Sequence, residues 1–336
     1  MSLIPAGDMA NALFLRRQSA LLKSELARHS QELSTGRTAD PLRKLRGDTA
    51  ALAAVERGRT ALDAYDMATK EAALHTAGQQ RVLEKLRVES LDLAGELLTY
   101  GNAVPPEMIQ TGGRIGRAAF EDAVAGLNTQ MGGRSLFSGV ASDRPALAPV
   151  QEIVDALMAA VAGATTAEEV EQIVTDWFDP AGTEFLSVAY RGATDPEGPV
   201  SLSPGQRVEM SVTAARPELR KLLGGLAMIS LVEAGALGDN RAERAKLIGL
   251  SAVRLLEAPG GVTALAGELG DTEARIETAK TRNAHERTAL ELALTDLIAV
   301  DSFDAATRLE ETRVRIESLF TLTARLQRMS LTEFLR

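Results

Sequence analysis

The sequence contains few residues in the types and spacings that catalysis requires. Its three histidines, His29, His75 and His285, are isolated, and none has a second histidine four residues away to share a metal ion. The absence of cysteine excludes thiol nucleophiles, thiolate zinc sites and disulfides. There is no G-x-S-x-G element, and GGRIG lies inside a helical stretch, so a phosphate-binding loop is not predicted. We therefore predict no catalytic residue, no cofactor site and no metal site.

Charged clusters in the sequence predict surfaces. Residues 151–200 carry ten acidic side chains and a single basic one, Arg191, without the D-x-[DN]-x-[DN]-G spacing of a calcium loop. This stretch is predicted to be a solvated outer surface. The basic stretch Arg43–Arg46 has no interleaved aromatic residues and the net charge is −9, so nucleic acid is not a predicted partner. The basic stretch is either a solvated loop or a site of salt bridges between subunits.

No run of the sequence reaches the roughly 20 apolar residues of a membrane span. The first residues, MSLIPAGDMANALFLRR, lack an apolar core followed by a small-residue cleavage site, so we expect no secretory signal there. If the protein leaves the cytoplasm, we expect a route that does not read such a signal.

Proline positions indicate which elements could present a binding surface. None of the twelve prolines falls within 42–104, 107–144 or 260–336, and seven lie within 145–217. Proline breaks helix interiors and central strands. Aromatic residues make up only 4% of the chain, which favours helix seams built from aliphatic side chains. The pattern predicts long helices at both chain ends around an irregular insert.

The first helix is predicted to begin near Asp8, an N-cap residue, and to run to about Ser34, with Gly36 as its C-terminal stop. The residues before it are expected to be disordered. ADPLRKLRG is predicted to be a loop, because Pro41 biases Asp40 away from the helical region.

Two more long helices are predicted before the insert. One runs over about 48–100 and is ended by GNAVPP, and the next runs over about 106–131. The second contains Gly112, Gly113 and Gly116, which predict local weakness or a kink.

The middle of the chain predicts a small α/β insert. Helices are predicted at 150–161 and over TAEEVEQIVTDWF, where Thr166 and Glu169 fit a capping box. Alternating apolar residues predict a strand in FLSVAY and a hairpin turning at Pro204–Gly205. Two further helices are predicted at 216–236 and 240–257, the second ending before APGG.

The chain from Val262 to Arg336 is amphipathic and needs a partner. Its apolar residues recur at steps of three, four and seven, in two stripes on either side of DSFDAATRLE. Such a helical hairpin cannot bury its own stripe, and the N-terminal helix, with its own heptad seam and a more basic composition, is predicted to cover it. The predicted assembly seam comprises Leu15, Leu22, Leu26 and Leu33 on the N-terminal helix and Leu309, Ile316, Leu319 and Leu326 on the C-terminal helix.

Four short motifs resemble the bacterial flagellin family. ELSTGR followed by an Asp-Pro loop is similar to the end of the first helix in flagellin-like proteins, and LNTQMGGRSLFSGVASDRPAL is similar to a segment of hook-associated members. DSFDAATRLE resembles the signature D-Y-x-[DE]-A-x-T-x-L, with serine at the tyrosine position, and SLTEFLR resembles the terminal S-L-x-x-[FY]-L. The motif positions in this sequence are Gly36, Asp40, Phe137, Gly139, Asp301, Asp304, Leu331 and Leu335.

The resemblance implies a structural subunit of the bacterial flagellum, outside the cell between hook and filament. STGRTADPLRKLRG lacks the S-S-G-x-R-I-N and D-D-A-A-G-L-A-I pattern of filament flagellins, which favours the hook-associated branch. The implied partners are copies of the same chain in a ring, hook-associated protein 1, flagellin and an export chaperone, after unfolded export by the flagellar type III apparatus. A divergent flagellin and a cytosolic coiled-coil adaptor are the alternatives.

Pattern and resemblance together predict a mainly α fold: a bundle of long antiparallel helices built from both chain ends, with a small α/β insert domain in the middle. Residues 1–40 are expected to form a helix that is disordered or mobile until assembly, and 301–336 a helix that pairs with it. Residues 41–145 and 240–300 are assigned to a helical rod domain, and 146–239 to the inserted outer domain.

Overall fold

The computed structural model of the protein describes residues 6–99 and 105–334. The expected disorder of the first residues, the chain around GNAVPP up to residue 104, and motif position Leu335 lie outside the described residues. The side chains of Leu326 and Leu331, near the C-terminal end, are also not described.

The fold is mainly α, which confirms the predicted fold class. No helix in the described ranges combines the length and the apolar character needed to cross a membrane. The helices are α1 (Ala6–Thr35), α2 (Pro41–Lys44), α3 (Ala50–Leu98), α4 (Pro106–Leu127), α5 (Val150–Ala160), α6 (Ala167–Trp177), α7 (Pro217–Glu233), α8 (Arg241–Ile298) and α9 (Ser302–Phe334). The strands are β1 (Gln130–Met131), β2 (Arg134–Ser135), β3 (Glu197–Ser203) and β4 (Gln206–Met210).

The chain divides into two compact units. Unit 1 contains the described parts of Met1–Leu62 and Ala284–Arg336, and unit 2 is Asp63–Asn283. Unit 1 is thus formed from the two ends of the chain, and α3 and α8 contribute residues to both units. The assignment of a rod domain and an insert domain stays a prediction.

Heptad and capping signals predicted the long helices well. The helix expected over 8–34 is α1, and the one expected over 48–100 is α3. The capping box of α6 is confirmed: the Thr166 hydroxyl accepts the backbone N–H of Glu169 at 3.3 Å, and the Glu169 carboxylate accepts the N–H of Thr166 at 3.3 Å. This reciprocal pair satisfies two donors that a helix start would otherwise leave unpaired.

The loop predicted over ADPLRKLRG is wrong in its middle, where Pro41–Lys44 form α2. Asp40 itself is non-helical, with φ −128°, as a following proline requires. Its carboxylate accepts the N–H of Arg43 at 3.1 Å and caps the new helix. Pro41 occupies the first helical position, where the N–H that proline lacks would have no partner within the helix.

The glycines of α4 allow close packing against α7 in unit 2. A Cβ atom added at Gly116 would lie 2.5 Å from Cγ1 of Ile229, and one at Gly113 would lie 3.0 Å from the backbone nitrogen of Glu233. The sequence predicted weakness or a kink here, whereas α4 is a continuous helix. Glycine is required because a side chain would separate the two helices.

The main hydrophobic core lies in unit 2 and contains most of the buried side chains of the insert. Three aromatic residues form its centre: the Trp177 ring lies edge-to-face with Phe178 at 4.8 Å and with Phe185 at 6.2 Å between centroids. Offset and edge contacts of this kind stabilise by about 0.5–1.5 kcal/mol beyond the area that they bury. Trp177, Phe178 and Phe185 of the insert therefore pack against one another within the core.

The predicted hairpin is confirmed in unit 2. β3 and β4 pair antiparallel, and Gly205 between them has φ +75°, as the predicted turn requires. In β4 the buried Val208 and Met210 alternate with exposed residues, as is expected of a strand that is covered on one face.

The strand predicted in FLSVAY is wrong. Residues Phe185–Ala189 form a π-helical turn, and only Tyr190 makes a strand-like contact, an isolated antiparallel bridge to Leu147. The N–H of Ala148 donates to the carbonyl of Ala189 at 2.8 Å, which fixes the end of the turn. Three alternating apolar residues were too short a pattern to separate a strand from one helical turn.

The helix end predicted at APGG is also wrong, because α8 continues through Pro259 to Ile298. An interior proline costs a helix roughly 3 kcal/mol. Val262 and Leu265 on its C-terminal side are buried in the main core, and burying each contributes about 1.5–3 kcal/mol. Tertiary packing therefore offsets the local preference for a break.

Candidate assembly surface

Two loops hold the ends of α1 and α9 together in unit 1. The backbone N–H of Thr38 donates to the carbonyl of Ile298 at 2.8 Å, and the N–H of Val300 donates to Gly36 at 2.9 Å. These bonds flank an antiparallel bridge between the middle residues of the two loops. We call these two segments, residues 36–38 after α1 and residues 298–300 at the end of α8, the loop joint. It fixes the register of the two terminal helices.

Four of the family-motif positions lie at helix ends beside the loop joint. Gly36 ends α1 in the left-handed region, with φ +66°, and Asp40 caps α2. The Asp301 carboxylate accepts the N–H of Phe303 at 2.8 Å and of Asp304 at 3.4 Å, so it caps α9. Asp304 lies in the first turn of α9, where a carboxylate interacts favourably with the helix dipole.

A buried carboxylate ties α1 to the turn that follows it. Glu32 Oε1 accepts the N–H of Ala39 at 3.1 Å, and Oε2 lies 3.1 Å from Nδ1 of His29. Burial raises the pKa of Glu32, but the hydrogen bonds from Ala39 and His29 and the charge of Arg28 outweigh burial and hold the pKa below its ordinary value. The ionised carboxylate is therefore the form that the folded unit prefers.

A cavity of about 640 Å³ opens beside Glu32 within unit 1. Its described lining includes five basic and six acidic side chains. Because the two signs nearly cancel, the cavity has no charge with which to select an anion or a cation. We interpret it as the solvated polar end of the helix pair.

Acid is expected to weaken the attachment of α1 at this point. The folded-state pKa of Glu32 lies below the ordinary value of 4.5, so its contribution to stability is present above that value and is lost as the pH falls further. Glu32→Gln should abolish this pH dependence and cost about 1 kcal/mol at neutral pH, because a neutral acceptor replaces a charged one. Hydrogen exchange at the amide of Ala39 measures both effects.

The matched control for this prediction is Glu25→Gln. Glu25 lies on the same helix and lines the same cavity. It should leave exchange at Ala39 and its pH dependence close to those of the wild type. Equal behaviour of the two variants would contradict the role given to Glu32.

The predicted seam lies on α1 and α9, which pack against each other in unit 1. Lys23 Nζ lies 5.9 Å from the ring centroid of Phe320, so the helices run antiparallel from the loop joint. The burial of the predicted seam residues is uneven: Leu319 is buried, Leu15, Leu22, Leu26, Leu309 and Ile316 are half-buried, and Leu33 is exposed. Their part in assembly stays a prediction.

Both terminal helices also expose large apolar side chains. Phe14 on α1 is 64% exposed, and Phe303 and Val314 on α9 are 78% and 57% exposed. We call these and their exposed neighbours the outer face: Leu13, Phe14, Leu21, Phe303, Val314, Phe320 and Leu322. A helix pair with half-buried residues on its seam and apolar residues outside it can bury both only with further neighbours.

The heptad stripes of α1 and α9 do not contain the residues of the outer face. Phe14 and Leu21 are seven residues apart, and Phe303 and Val314 are eleven apart, so each pair repeats after two or three full helical turns. A search for a second stripe on each helix would have found these residues.

The other described motif positions, Phe137 and Gly139, belong to unit 2. Phe137 is fully buried in the main core, and its carbonyl accepts the N–H of Ala214 at 2.9 Å. Gly139 has φ +61°, and a Cβ atom there would lie 2.6 Å from the carbonyl oxygen of Ala193. These two residues hold the LFSG segment between neighbouring stretches of chain and lie outside the assembly surface of unit 1.

The candidate assembly surface of unit 1 consists of two helix faces and the loop joint. In residues 6–99 and 105–334, no group of three or more His, Asp or Glu side chains is placed to hold a metal ion. What unit 1 presents is a fixed loop joint, a partly covered seam and an apolar outer face. This combination suits contacts with other helices.

Comparisons with known proteins agree with the C-terminal motifs. Residues 255–335 match the family model of the bacterial flagellin C-terminal helical region. The fold is similar to that of a Vibrio parahaemolyticus protein described as flagellar hook-associated, with a TM-score of 0.52 and 14% identity, covering 75% of this chain and 99% of that chain. No curated protein sequence was found to match. The C-terminal residues 255–335 are thus similar to the helical C-terminal region of bacterial flagellins, and the fold is similar to that of a protein described as flagellar hook-associated.

Proposed function

We propose that the chain is a structural subunit at the junction of the flagellar hook and filament, the place of hook-associated protein 3. It is exported unfolded by the flagellar type III apparatus with the help of an export chaperone, and it works outside the cell. Copies of the chain form a ring that contacts hook-associated protein 1 on one side and flagellin on the other.

The observation that carries this proposal is the outer face of the terminal helix pair. Burying one large apolar side chain contributes about 1.5–3 kcal/mol, so seven partly exposed ones offer on the order of 10 kcal/mol before costs. Association costs about 4–15 kcal/mol, which makes a single contact marginal and several contacts in a ring stable. Head-to-tail contacts between unlike surfaces close into rings or extend as helical filaments.

The hook-associated role is supported by the similarity in fold to the Vibrio parahaemolyticus protein described as flagellar hook-associated. A divergent filament flagellin is the second candidate, because the matched family model is that of the flagellin C-terminal region. A cytosolic coiled-coil adaptor could use similar helices, but it would stay inside the cell.

Deletion of the gene, followed by electron microscopy and analysis of the medium, tests the proposal. The junction role requires hooks that carry no filament, with flagellin released into the medium, and full recovery when the gene is restored. Normal filaments after deletion would exclude it. Loss of filaments without released flagellin would favour the divergent flagellin, and a protein found only in the cytoplasm would favour the adaptor.

Leu26→Asp is expected to impair assembly more than export. Leu26 is half-buried on the predicted seam of α1, and a charge there should weaken the helix pairing on which assembly depends by at least about 1.4 kcal/mol, or tenfold. Motility in soft agar should fall while the amount of this protein in the medium stays high.

Leu256→Asp is the control for this variant, because Leu256 is exposed in unit 2. It introduces the same side chain away from the seam and should leave motility near the wild-type level. Unchanged motility in Leu26→Asp would mean that the assembly face has been placed on the wrong side of α1.

A further inference from the structure

A polar corner of unit 2 contains a histidine that the roles above do not use. His75 of α3 lines a cavity of about 390 Å³. Both ring nitrogens of His75 are shielded from solvent, and neither has a hydrogen-bond partner among the described residues. Buried polar side chains in folded proteins are nearly always paired, so an unpaired imidazole at a cavity wall points to a role.

The charged neighbours of this imidazole form a bridge between three elements. Arg134 of β2 lies 2.7 Å from the Glu71 carboxylate of α3 and 3.2 Å from the Glu197 carboxylate of β3. These three residues and His75 are the titratable groups in the described lining of the cavity. The bridge therefore ties both hairpins to α3 at the place where the half-buried His75 lines the cavity.

Apart from this bridge, the β3–β4 hairpin is held by a small apolar cluster and by hydrogen bonds from α8, where the Asn283 side-chain amide donates to the carbonyl of Leu202 at 2.8 Å. Its buried Leu202 and Val208 join Ala72, Ile276 and Ala279 in a small cluster that is separate from the main core of unit 2. A cluster of five buried residues offers few contacts, and such regions open at lower free energy than the main core. A weaker polar bridge should therefore lower the free energy that is needed to open the hairpin.

We propose that His75 is an acid-sensing residue, whose protonation loosens the β3–β4 hairpin from α3. An imidazolium carries two N–H donors and no acceptor. The anionic acceptors in the cavity lining are the carboxylates of Glu71 and Glu197, and each already gives an oxygen to Arg134. Protonated His75 places a second positive charge beside Arg134, so it repels the guanidinium and competes with it for the two carboxylates, and both effects weaken the bridge.

The direction of the pH effect follows from the surroundings of the ring. Burial lowers the pKa of His75, Glu197 and Glu71 oppose this by attraction, and Arg134 adds to the lowering by repulsion. A base whose pKa is lowered in the closed state binds its proton more readily in the open state. The closed hairpin is therefore favoured above the ordinary value of 6.5 and loses stability as the pH falls below it.

Hydrogen exchange of the full-length protein at two pH values tests the proposal. Between about pH 7.5 and pH 5.5, protection of the β3–β4 amides, corrected for intrinsic exchange, should fall by up to about tenfold. His75→Gln, which cannot gain a proton, should show no such fall. His285→Gln removes an exposed histidine and should behave like the wild type.

Equal acid sensitivity in the wild type and in His75→Gln would overturn the proposal, as would a wild-type hairpin whose protection does not change. If His75→Gln does not fold, an NMR titration of the His75 ring in the wild type decides. A midpoint below the ordinary 6.5 is required, and a midpoint at or above it would refute the sensor. These outcomes do not depend on the flagellar role.

Discussion

Gly139→Ala is expected to lower the free energy of unfolding of unit 2 by on the order of 3 kcal/mol. Its φ of +61° costs an L side chain about 1–2 kcal/mol. The added methyl would also meet the carbonyl oxygens of Ala193 and Asp195. These carbonyls accept the Tyr190 hydroxyl at 2.7 Å and the N–H of Val140 at 3.1 Å, so they cannot retreat without losing hydrogen bonds.

Urea unfolding followed by tryptophan fluorescence measures this loss, because the single tryptophan, Trp177, is buried in unit 2. Gly205→Ala is the matched control: its φ is +75°, but no atom of the described residues lies within 4 Å of the added Cβ. It should lose only the conformational part, about 1 kcal/mol. Equal losses in the two variants would show that the close contact at Gly139 is not real.

Arg220→Leu is expected to destabilise unit 2 by about 3 kcal/mol. Arg220 is 2% exposed, its Nε donates to the carbonyl of Phe178 at 2.9 Å, and its Nη2 donates to the carbonyl of Asp179. Its guanidinium also lies 4.8 Å from the ring centroid of Phe185. Burial lowers the pKa of Arg220 and the Asp179 charge opposes this, but the guanidinium remains charged at neutral pH.

The Arg220→Leu variant leaves the carbonyls that follow α6 without their donor and removes the cation–π contact. Arg191→Leu is the control, since Arg191 is an exposed arginine whose ion pair with Glu152 lies at the surface. That change should cost less than about 1 kcal/mol in the same urea experiment. A loss of similar size in both variants would mean that the buried arginine contributes no more than a surface ion pair.

Much of the fold could be predicted from residue patterns that act locally. The heptad stripe of α1, the proline-free length of α3 and the Thr166–Glu169 box each depend on neighbours within one or two turns. These local preferences predict the folded structure correctly because the tertiary contacts of the same segments favour the same conformation. The helical class of the chain and the pairing of its ends follow from them.

The failures occur where distant contacts decide the outcome. Pro259 should end a helix, and it does not because Val262 and Leu265 are held by the main core. Leu186, Val188 and Tyr190 alternate like a strand, yet the chain there turns once and packs Phe185 against Trp177. A short run of apolar residues is compatible with either a strand or a helical turn, and tertiary packing decides which of the two forms.

The assembly surface was predicted in part for a different reason. Amphipathic analysis assigns each helix one buried side, and the seam residues of α1 and α9 were found on that assumption. Phe14 and Phe303 lie away from the seam and stay exposed in the single chain. Apolar residues that stay exposed make few contacts within one chain, so a search for one buried side per helix does not find them.

The loop joint has a consequence for how the chain can vary. Because α1 and α9 are joined at 36–38 and 298–300, the joint at one end of the helix pair sets which residues face each other along its whole length. Loss of one helical turn at a chain terminus shortens the helix pair, and the remaining residues of the two helices still face the same partners. Insertion of one residue inside the joint would rotate one helix by about 100° relative to the other and would change all the pairs of facing residues. The joint therefore constrains the spacing around Gly36 and Val300 more strictly than it constrains the lengths of the two helices.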